Sequence, residues 1–224
     1  NTKRVYALVE AGKSALLRSD DGGDKWHKVN EEYDIADRPF YYTELAVDPQ
    51  NADVVYNIGT RVRVSIDGGK SFTYNPVIDC CQAGNTIHID NHAYWINPSN
   101  SKHLIFGNDG GLAISHDQGQ TFRFVRNLPL AQFYHIAVDN DVPYHIYGGL
   151  QDNGSWYGPS TNKEGIDWTE RGQYGFKNIN GGDGMQAQVD TRDNNTIYSG
   201  SQFGSYFRTN KQKTETKFIR PTVP

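Results

Sequence analysis

Only two cysteines occur in the 224 residues, and they are neighbours, Cys80-Cys81. An adjacent pair closes at most a strained vicinal bridge, and two free thiols are its simpler state. No disulfide framework therefore holds this chain, and its cysteines do not fix a redox compartment. No Cys or His stands at ligand spacing beside them, which argues against a structural zinc site. No apolar run approaches membrane-spanning length, and no signal-peptide pattern heads the chain. Neither charge sign dominates: the formal net charge is −4, with no basic stripe, so nucleic acid and anionic membrane are not expected partners. No segment reads as a long helix. Aromatics at 12 % with 23 glycines instead suit many short strands joined by tight turns.

The arrangement of those turns is periodic. The pattern Ser-x-Asp-x-Gly-x-x-aromatic occurs three times, as Ser19, Asp21, Gly23, Trp26, then Ser65, Asp67, Gly69, Phe72, then Ser115, Asp117, Gly119, Phe122. The offsets are 46 and 50 residues, a spacing that marks a solenoid, propeller or array. Ser and Asp side chains can fix a turn by bonding nearby backbone N–H groups, and Gly supplies positive φ. The aromatic residue is expected to anchor the next strand in an apolar layer. Each box follows an alternating run (Ala15-Leu16-Leu17-Arg18, Val62-Arg63-Val64, Leu112-Ala113-Ile114), as in a strand entering a hairpin.

A second repeat interleaves with the first. Strand, Asp or Asn turn, strand and Gly-rich turn follow one another around Asp48, Asn97, Asp139 and Asp190. Adding the box hairpin gives four antiparallel strands per unit, a propeller blade, so an all-β fold of about five such blades is predicted. Their approximate extents are 1–30, 40–77, 88–126, 130–171 and 181–220, within one propeller segment spanning 1–224. The first blade lacks its innermost strand. The fourth and fifth keep their third strand (Gly154-Ser155-Trp156-Tyr157 and Ser205-Tyr206-Phe207-Arg208) without the box consensus. A start in mid-blade, without Met, suggests part of a six- to eight-bladed propeller. The alternative is a closed five-bladed ring whose residues 218–224 complete the first blade.

The boxes resemble the Asp-box, or BNR, repeat of sialidases, sortilin-type receptors and xyloglucanase-type glycoside hydrolases. Longer stretches extend the likeness: Asp90-Asn91-His92-Ala93-Tyr94-Trp95-Ile96-Asn97-Pro98, Gly107-Asn108-Asp109-Gly110-Gly111, Gly149-Leu150-Gln151-Asp152-Asn153-Gly154 and Gly181-Gly182-Asp183-Gly184. These look like segments of large secreted bacterial proteins labelled glycosyl hydrolase or sortilin-like. The resemblance covers essentially the whole chain. It implies a propeller that is secreted, periplasmic or on the cell surface, with box hairpins that are structural and remote from any ligand.

Topology then says where ligands go. The boxes share one face with the Asp turns, whereas the starts of the inner strands and the second-to-third-strand turns gather on the other, at the mouth of the channel. Two aligned rings should form there, Tyr41, Asp90, Gln132 and Asp183, then Thr43, His92, Tyr134 and Met185. Arg61, Asp109, Asp152 and Phe203 would sit on the returning turns. His92, Tyr134, Arg61, Asp152 and Trp156 are the candidate ligand-binding residues, for a polysaccharide or a peptide. In an extended 88–92 segment His88, Asp90 and His92 would share a face, and two imidazoles with a carboxylate can hold a divalent metal such as zinc. The competing reading has them lining a wet channel, and no cofactor is expected.

Hydrolysis of a glycoside needs two facing carboxyl groups, roughly 5–5.5 Å apart for retention or about 6.5–9.5 Å for inversion. Asp109, Asp90 and Asp183 are the candidate catalytic acids. Xyloglucanase-type enzymes carry an Asp in a Gly-Asp-x-Gly-Gly or Thr-Asp-x-Gly-Gly turn. Here Asn108 takes that place and the acid moves to Asp109. Sialidase chemistry is discounted, because three of Arg4, Arg18, Arg38, Arg61 and Arg63 cannot be placed on one face. The expected function is a carbohydrate- or protein-binding module, completed by further blades or other chains, with a glycoside hydrolase as the alternative.

Overall fold

The computed structural model describes residues 3–74, 88–125, 127–128, 130–163, 165–170 and 175–222, with the backbone only at 168 and 169. Cys80 and Cys81 lie outside the described residues. The chain folds into five consecutive antiparallel meanders. The first has three strands, β1 (Val5–Val9), β2 (Ala15–Ser19) and β3 (His27–Asn30). The second comprises β4 (Glu44–Val47), β5 (Val55–Ile58), β6 (Val62–Ser65) and β7 (Thr73–Tyr74). The third comprises β8 (Asn91–Ile96), β9 (Leu104–Asn108), β10 (Gly111–Ser115) and β11 (Arg123–Val125). β12 (Phe133–Val138), β13 (His145–Leu150), β14 (Gly154–Pro159) and β15 (Lys177–Asn180) form the fourth, its last strand lying beyond residue 171. The fifth holds β16 (Ala187–Val189), β17 (Thr196–Ser201), β18 (Ser205–Asn210) and β19 (Thr216–Phe218). Each strand pairs with its sequence neighbours, which is the blade unit of a β-propeller.

Among the described residues the first sheet has three strands, as the sequence implies. Residues 216–218 pair with β18 in the fifth sheet. Two compact units result, 1–125 with the first three sheets and 126–224 with the other two.

In the first unit the core lies between the second and third sheets. Strand β5 is buried along its whole length, and Tyr56, Ile58 and Val62 join Ile96, Leu104, Phe106 and Ala113 in one apolar cluster. Such double-sided burial explains the near-continuous apolar run of the strand. In the second unit Tyr147, Tyr157, Ile179, Ala187, Val189 and Ile197 form the corresponding cluster. Its two sheets touch backbone to backbone: a Cβ on Gly184 would lie 2.0 Å from the Gly154 carbonyl oxygen, so only glycine fits there.

The three boxes adopt one geometry. Ser65 Oγ donates to Asp67 Oδ1 at 2.8 Å and accepts from the Gly69 N–H at 2.9 Å, while Asp67 Oδ1 also accepts from the Lys70 and Ser71 N–H groups. Ser19 and Ser115 repeat both bonds within their own turns. Burial opposes ionisation of Asp67, but hydrogen bonds from the Ser71 hydroxyl first, then the Ser71 N–H, the Ser65 hydroxyl and the Lys70 N–H, outweigh it and bring its carboxyl down to about 2. The Thr121 hydroxyl and N–H bring Asp117 to about 2 as well. The aromatic position is less uniform than expected. Phe122 packs on Phe106 with ring centroids 4.9 Å apart, whereas Trp26 stays exposed and folds back, its indole N–H donating to the Gly23 carbonyl at 2.8 Å. The boxes do lie with the Asp turns: in the first unit Gln118 Nε2, inside the third box, donates to Asp48 Oδ2 at 3.3 Å.

Candidate functional site

The opposite end of the first unit assembles a polar and aromatic cluster. Its scaffold is the crossing from the second to the third sheet. There the Asp90 and Asn91 N–H groups donate to the Thr60 and Gly59 carbonyls at 2.9 and 3.0 Å. Those bonds place Asp90 at the mouth of β8, with a left-handed φ of 62°. A non-glycine residue there is uncommon, and such positions concentrate at functional sites.

The strand begins only at Asn91, and a bulge between Asn91 and Ala93 shifts the register with β9. Both features break the alternation assumed for residues 88–92, so His88, Asp90 and His92 do not share a strand face. His88 turns its Nδ1 to the Ile89 carbonyl at 2.8 Å. Among the described residues, the group that brings three metal-ligand side chains together is Asp139, Asp141 and His145. The Lys211 ammonium sits 3.0 Å from both of those carboxylates.

Asp90 and Asp109 are distinguished by their partners. The Tyr42 hydroxyl donates to Asp90 Oδ1 and lies 2.9 Å from Thr60 Oγ1. Arg38 Nη1 lies 3.5 Å from the same carboxylate oxygen and donates to the Tyr42 hydroxyl at 3.1 Å. Burial first, and then the bond to Asp90, pushes the Tyr42 phenol up to about 12, so it remains a donor. Asp109, on the turn between β9 and β10, instead faces His92, with Nε2 2.8 Å from Oδ1. Its N–H donates to the Asp90 carbonyl at 3.3 Å, which couples the two acids through the backbone.

The aromatic rings tie the cluster together. His92 meets Tyr41 and Tyr42 edge-on at 5.7 and 5.0 Å, and the Arg38 guanidinium lies 5.2 and 5.1 Å from the same two rings.

Beside this cluster, sharing Thr60, opens a cavity of about 370 Å³ lined among others by Tyr33, Asp34, Asp37, Arg61, Arg63 and Tyr74. Arg63 is buried and pairs with Asp34 at 2.7 Å, and Tyr74 donates to the same carboxylate at 3.0 Å. Arg61 is exposed at the cavity, its guanidinium 5.5 Å from the Tyr74 ring. The loop between β3 and β4 forms one wall. It is pinned by buried Ile35, whose carbonyl accepts from Asn57 Nδ2 at 3.0 Å, and by Thr43 Oγ1 donating to the Asp37 carbonyl at 2.7 Å. This anchored loop nevertheless presents Tyr33 (98 % exposed), Phe40 (80 %) and Tyr41 (60 %) to solvent.

In the second unit Asp152 and Asp183 meet. The Asp152 N–H donates to Asp183 Oδ1 at 2.9 Å, and the Asp183 N–H donates to Gln202 Oε1 at 2.9 Å. Hydrogen bonding with Asp152, through its side chain and its N–H, holds the Asp183 carboxyl below the usual carboxylate range. Trp156 is half-buried, its indole N–H fixed to the Asn153 carbonyl at 2.6 Å. Tyr134 sits at a bulge in β12 and is exposed.

Of the sequence-predicted residues, the structure thus gathers Asp90, His92 and Asp109, with Arg61 at the adjoining cavity, and separately Asp152 with Asp183. Sequence reasoning missed Arg38, Tyr42, Thr60 and the Asp34–Arg63–Tyr74 group. The dense run Pro39-Phe40-Tyr41-Tyr42 was the available signal for the first two.

No family model matches the chain. The oligoxyloglucan-reducing end-specific xyloglucanase of Emericella nidulans is 27 % identical over 179 residues, covering 73 % of this chain and 22 % of that protein. Similar solved structures include a GH74 xyloglucanase from Xanthomonas campestris, with a TM-score of 0.42 and 13 % identity over 98 % of this chain and 37 % of that one. YCF48 bound to D1 peptide gives a TM-score of 0.40 and 12 % identity over 99 % of this chain and 64 % of its own. The chain therefore spans about a fifth of the curated relative it matches. With its five meander sheets, it is a β-propeller chain similar to the xyloglucanase type.

Proposed function

We propose that this chain is part of a BNR-repeat propeller, at the cell surface or outside the cell, that binds a polysaccharide through the cluster of Arg38, Tyr41, His92 and Asp109. The observation that carries the reading is the pinned loop between β3 and β4. It holds exposed aromatic rings beside carboxylates and guanidinium groups, at the lip of a cavity of about 370 Å³. Rings offer faces to sugar C–H groups, while carboxylates and guanidinium groups exchange hydrogen bonds with hydroxyls. A peptide is the competing ligand for the same surface. The reading invokes no cofactor.

A glycoside hydrolase is the second reading, favoured by the similarity to a xyloglucanase and by the place of Asp109 in its Gly-rich turn. Asp109 is then the first candidate acid, from its place in that turn. One experiment separates the readings: the intact protein is incubated with a polysaccharide panel while binding and reducing-end release are recorded together. Binding without release supports the module. Release lost in Asp109→Asn with binding retained establishes a hydrolase instead. Peptide binding without polysaccharide binding removes the carbohydrate reading.

A further inference from the structure

We infer that His92 is the positioning residue of Asp109 and makes ligand capture at this site pH-dependent. The inference rests on the polysaccharide-binding reading for its ligand, but its geometry stands alone. A carboxylate only accepts hydrogen bonds, so the 2.8 Å contact requires the proton of a neutral His92 to sit on Nε2. The ring cannot easily swing away, because Tyr41 and Tyr42 confine it edge-on. His92 and Asp109 side chains are 37 and 27 % exposed, so their contact is sheltered while the carboxylate still meets solvent.

The charged and titratable groups facing this pair come from four elements. The loop between β3 and β4 brings Arg38, Tyr41 and Tyr42. The mouth of β8 brings Asp90, the segment before it brings His88 opposite Gly110, and the turn between β9 and β10 brings Asp109. Tyr42 stays neutral across the physiological range. Arg38 against Asp90 and Asp109 leaves one net negative charge while the imidazoles are neutral. Protonating His92 cancels it.

A ligand hydroxyl approaching Asp109 therefore meets a carboxylate beside a neutral ring at high pH and beside an imidazolium at low pH. The imidazolium competes for the same lone pairs with a charge-assisted hydrogen bond. Binding of a neutral, hydroxyl-rich chain should weaken by about fivefold as His92 protonates.

Oligoxyloglucan is the probe, titrated calorimetrically into the intact protein between pH 5 and pH 8. The wild-type Kd is expected to rise about fivefold towards pH 5. His92→Gln retains an N–H donor for Asp109 but cannot titrate, so whatever affinity it has at pH 8 should be kept at pH 5. His92→Ala should bind poorly at every pH. A pH dependence that persists unchanged in His92→Gln overturns the inference.

Nuclear magnetic resonance of the His92 ring supplies a ligand-free arm. Asp109→Ala removes the acceptor that fixes the proton on Nε2, so the ring-nitrogen shifts that report the tautomer should change, and unchanged shifts in that variant also overturn the inference. If oligoxyloglucan binds at no pH, the binding reading falls, and this second arm alone decides whether His92 and Asp109 are coupled.

Discussion

Replacing Ser65 by Ala tests whether the boxes stabilise the fold through one buried hydroxyl. Ser65 is 1 % exposed, and its hydroxyl serves two partners. It donates to the Asp67 carboxylate and accepts from the Gly69 N–H, which is itself buried. Losing the charge-assisted bond costs about 1.5 kcal/mol, the low end of its range because Asp67 is half-exposed. Leaving the Gly69 N–H without its acceptor costs about 1–2 kcal/mol more. The sum, about 3 kcal/mol, corresponds to a fall in Tm of roughly 6–12 °C for a chain of this size. Urea unfolding followed by near-ultraviolet circular dichroism measures it directly. The variant also changes the acid limb. Asp67 is held at about 2 in the folded state, against roughly 3.9 in an unfolded chain, so its stabilisation is complete above pH 4 and disappears as pH falls through 2. Without the Ser65 bond the folded value rises, and the acid transition moves up in pH. A loss below about 0.5 kcal/mol, with the acid limb unmoved, would refute the account of the box as a hydrogen-bonded unit.

Lys211→Met should destabilise the second unit by about 3–5 kcal/mol, because the Asp139 carboxylate is fully buried and the ammonium 3.0 Å away is its counter-charge. The same variant should recover part of that loss when Asp139→Asn is added, as read from a double-mutant cycle in urea. Gly184→Ala places a methyl group 2.0 Å from the Gly154 carbonyl oxygen, where only backbone movement relieves the clash. A loss of about 3 kcal/mol is expected, together with faster hydrogen exchange at the Gly184 N–H, which now donates to Leu150. Normal stability in that variant would mean the two sheets of this unit are spaced more loosely than described.

The blade order was legible because turn chemistry repeats with the fold. Ser, Asp and Gly recur at fixed offsets since each satisfies a particular backbone group, and the bonds at Ser19, Ser65 and Ser115 show the same solution three times. That the first sheet has three strands among the described residues followed from the same counting. Trp26 was misjudged because the box requires only that its indole reach back to the turn, and packing inward is optional. The outer strand at Lys177–Asn180 escaped for a related reason: without a box to end the preceding hairpin, nothing in the sequence marks where the connection stops.

The placement of the candidate residues was legible at the level of which loops carry them, and much less at the level of which atoms meet. Counting back from the Asp turns put Asp90 and His92 at the strand mouth, where they are. Strand periodicity then predicted a shared face with His88, and a local detail defeated it. Asp90 adopts a left-handed φ so that consecutive N–H groups can reach Thr60 and Gly59 on the neighbouring sheet. That demand arises between sheets, and periodicity within one strand carries no trace of it. Its consequence is chemical. Once the alternation is broken, Asp90 turns to Tyr42 and Arg38 while His92 turns to Asp109. A segment that reads as a three-ligand metal face becomes two separate acid pairs, one locked by a phenol and one answerable to an imidazole. The difference in partners between the two carboxylates thus follows from a single backbone conformation, and a change that removed the left-handed turn at Asp90 would disturb both acids at once.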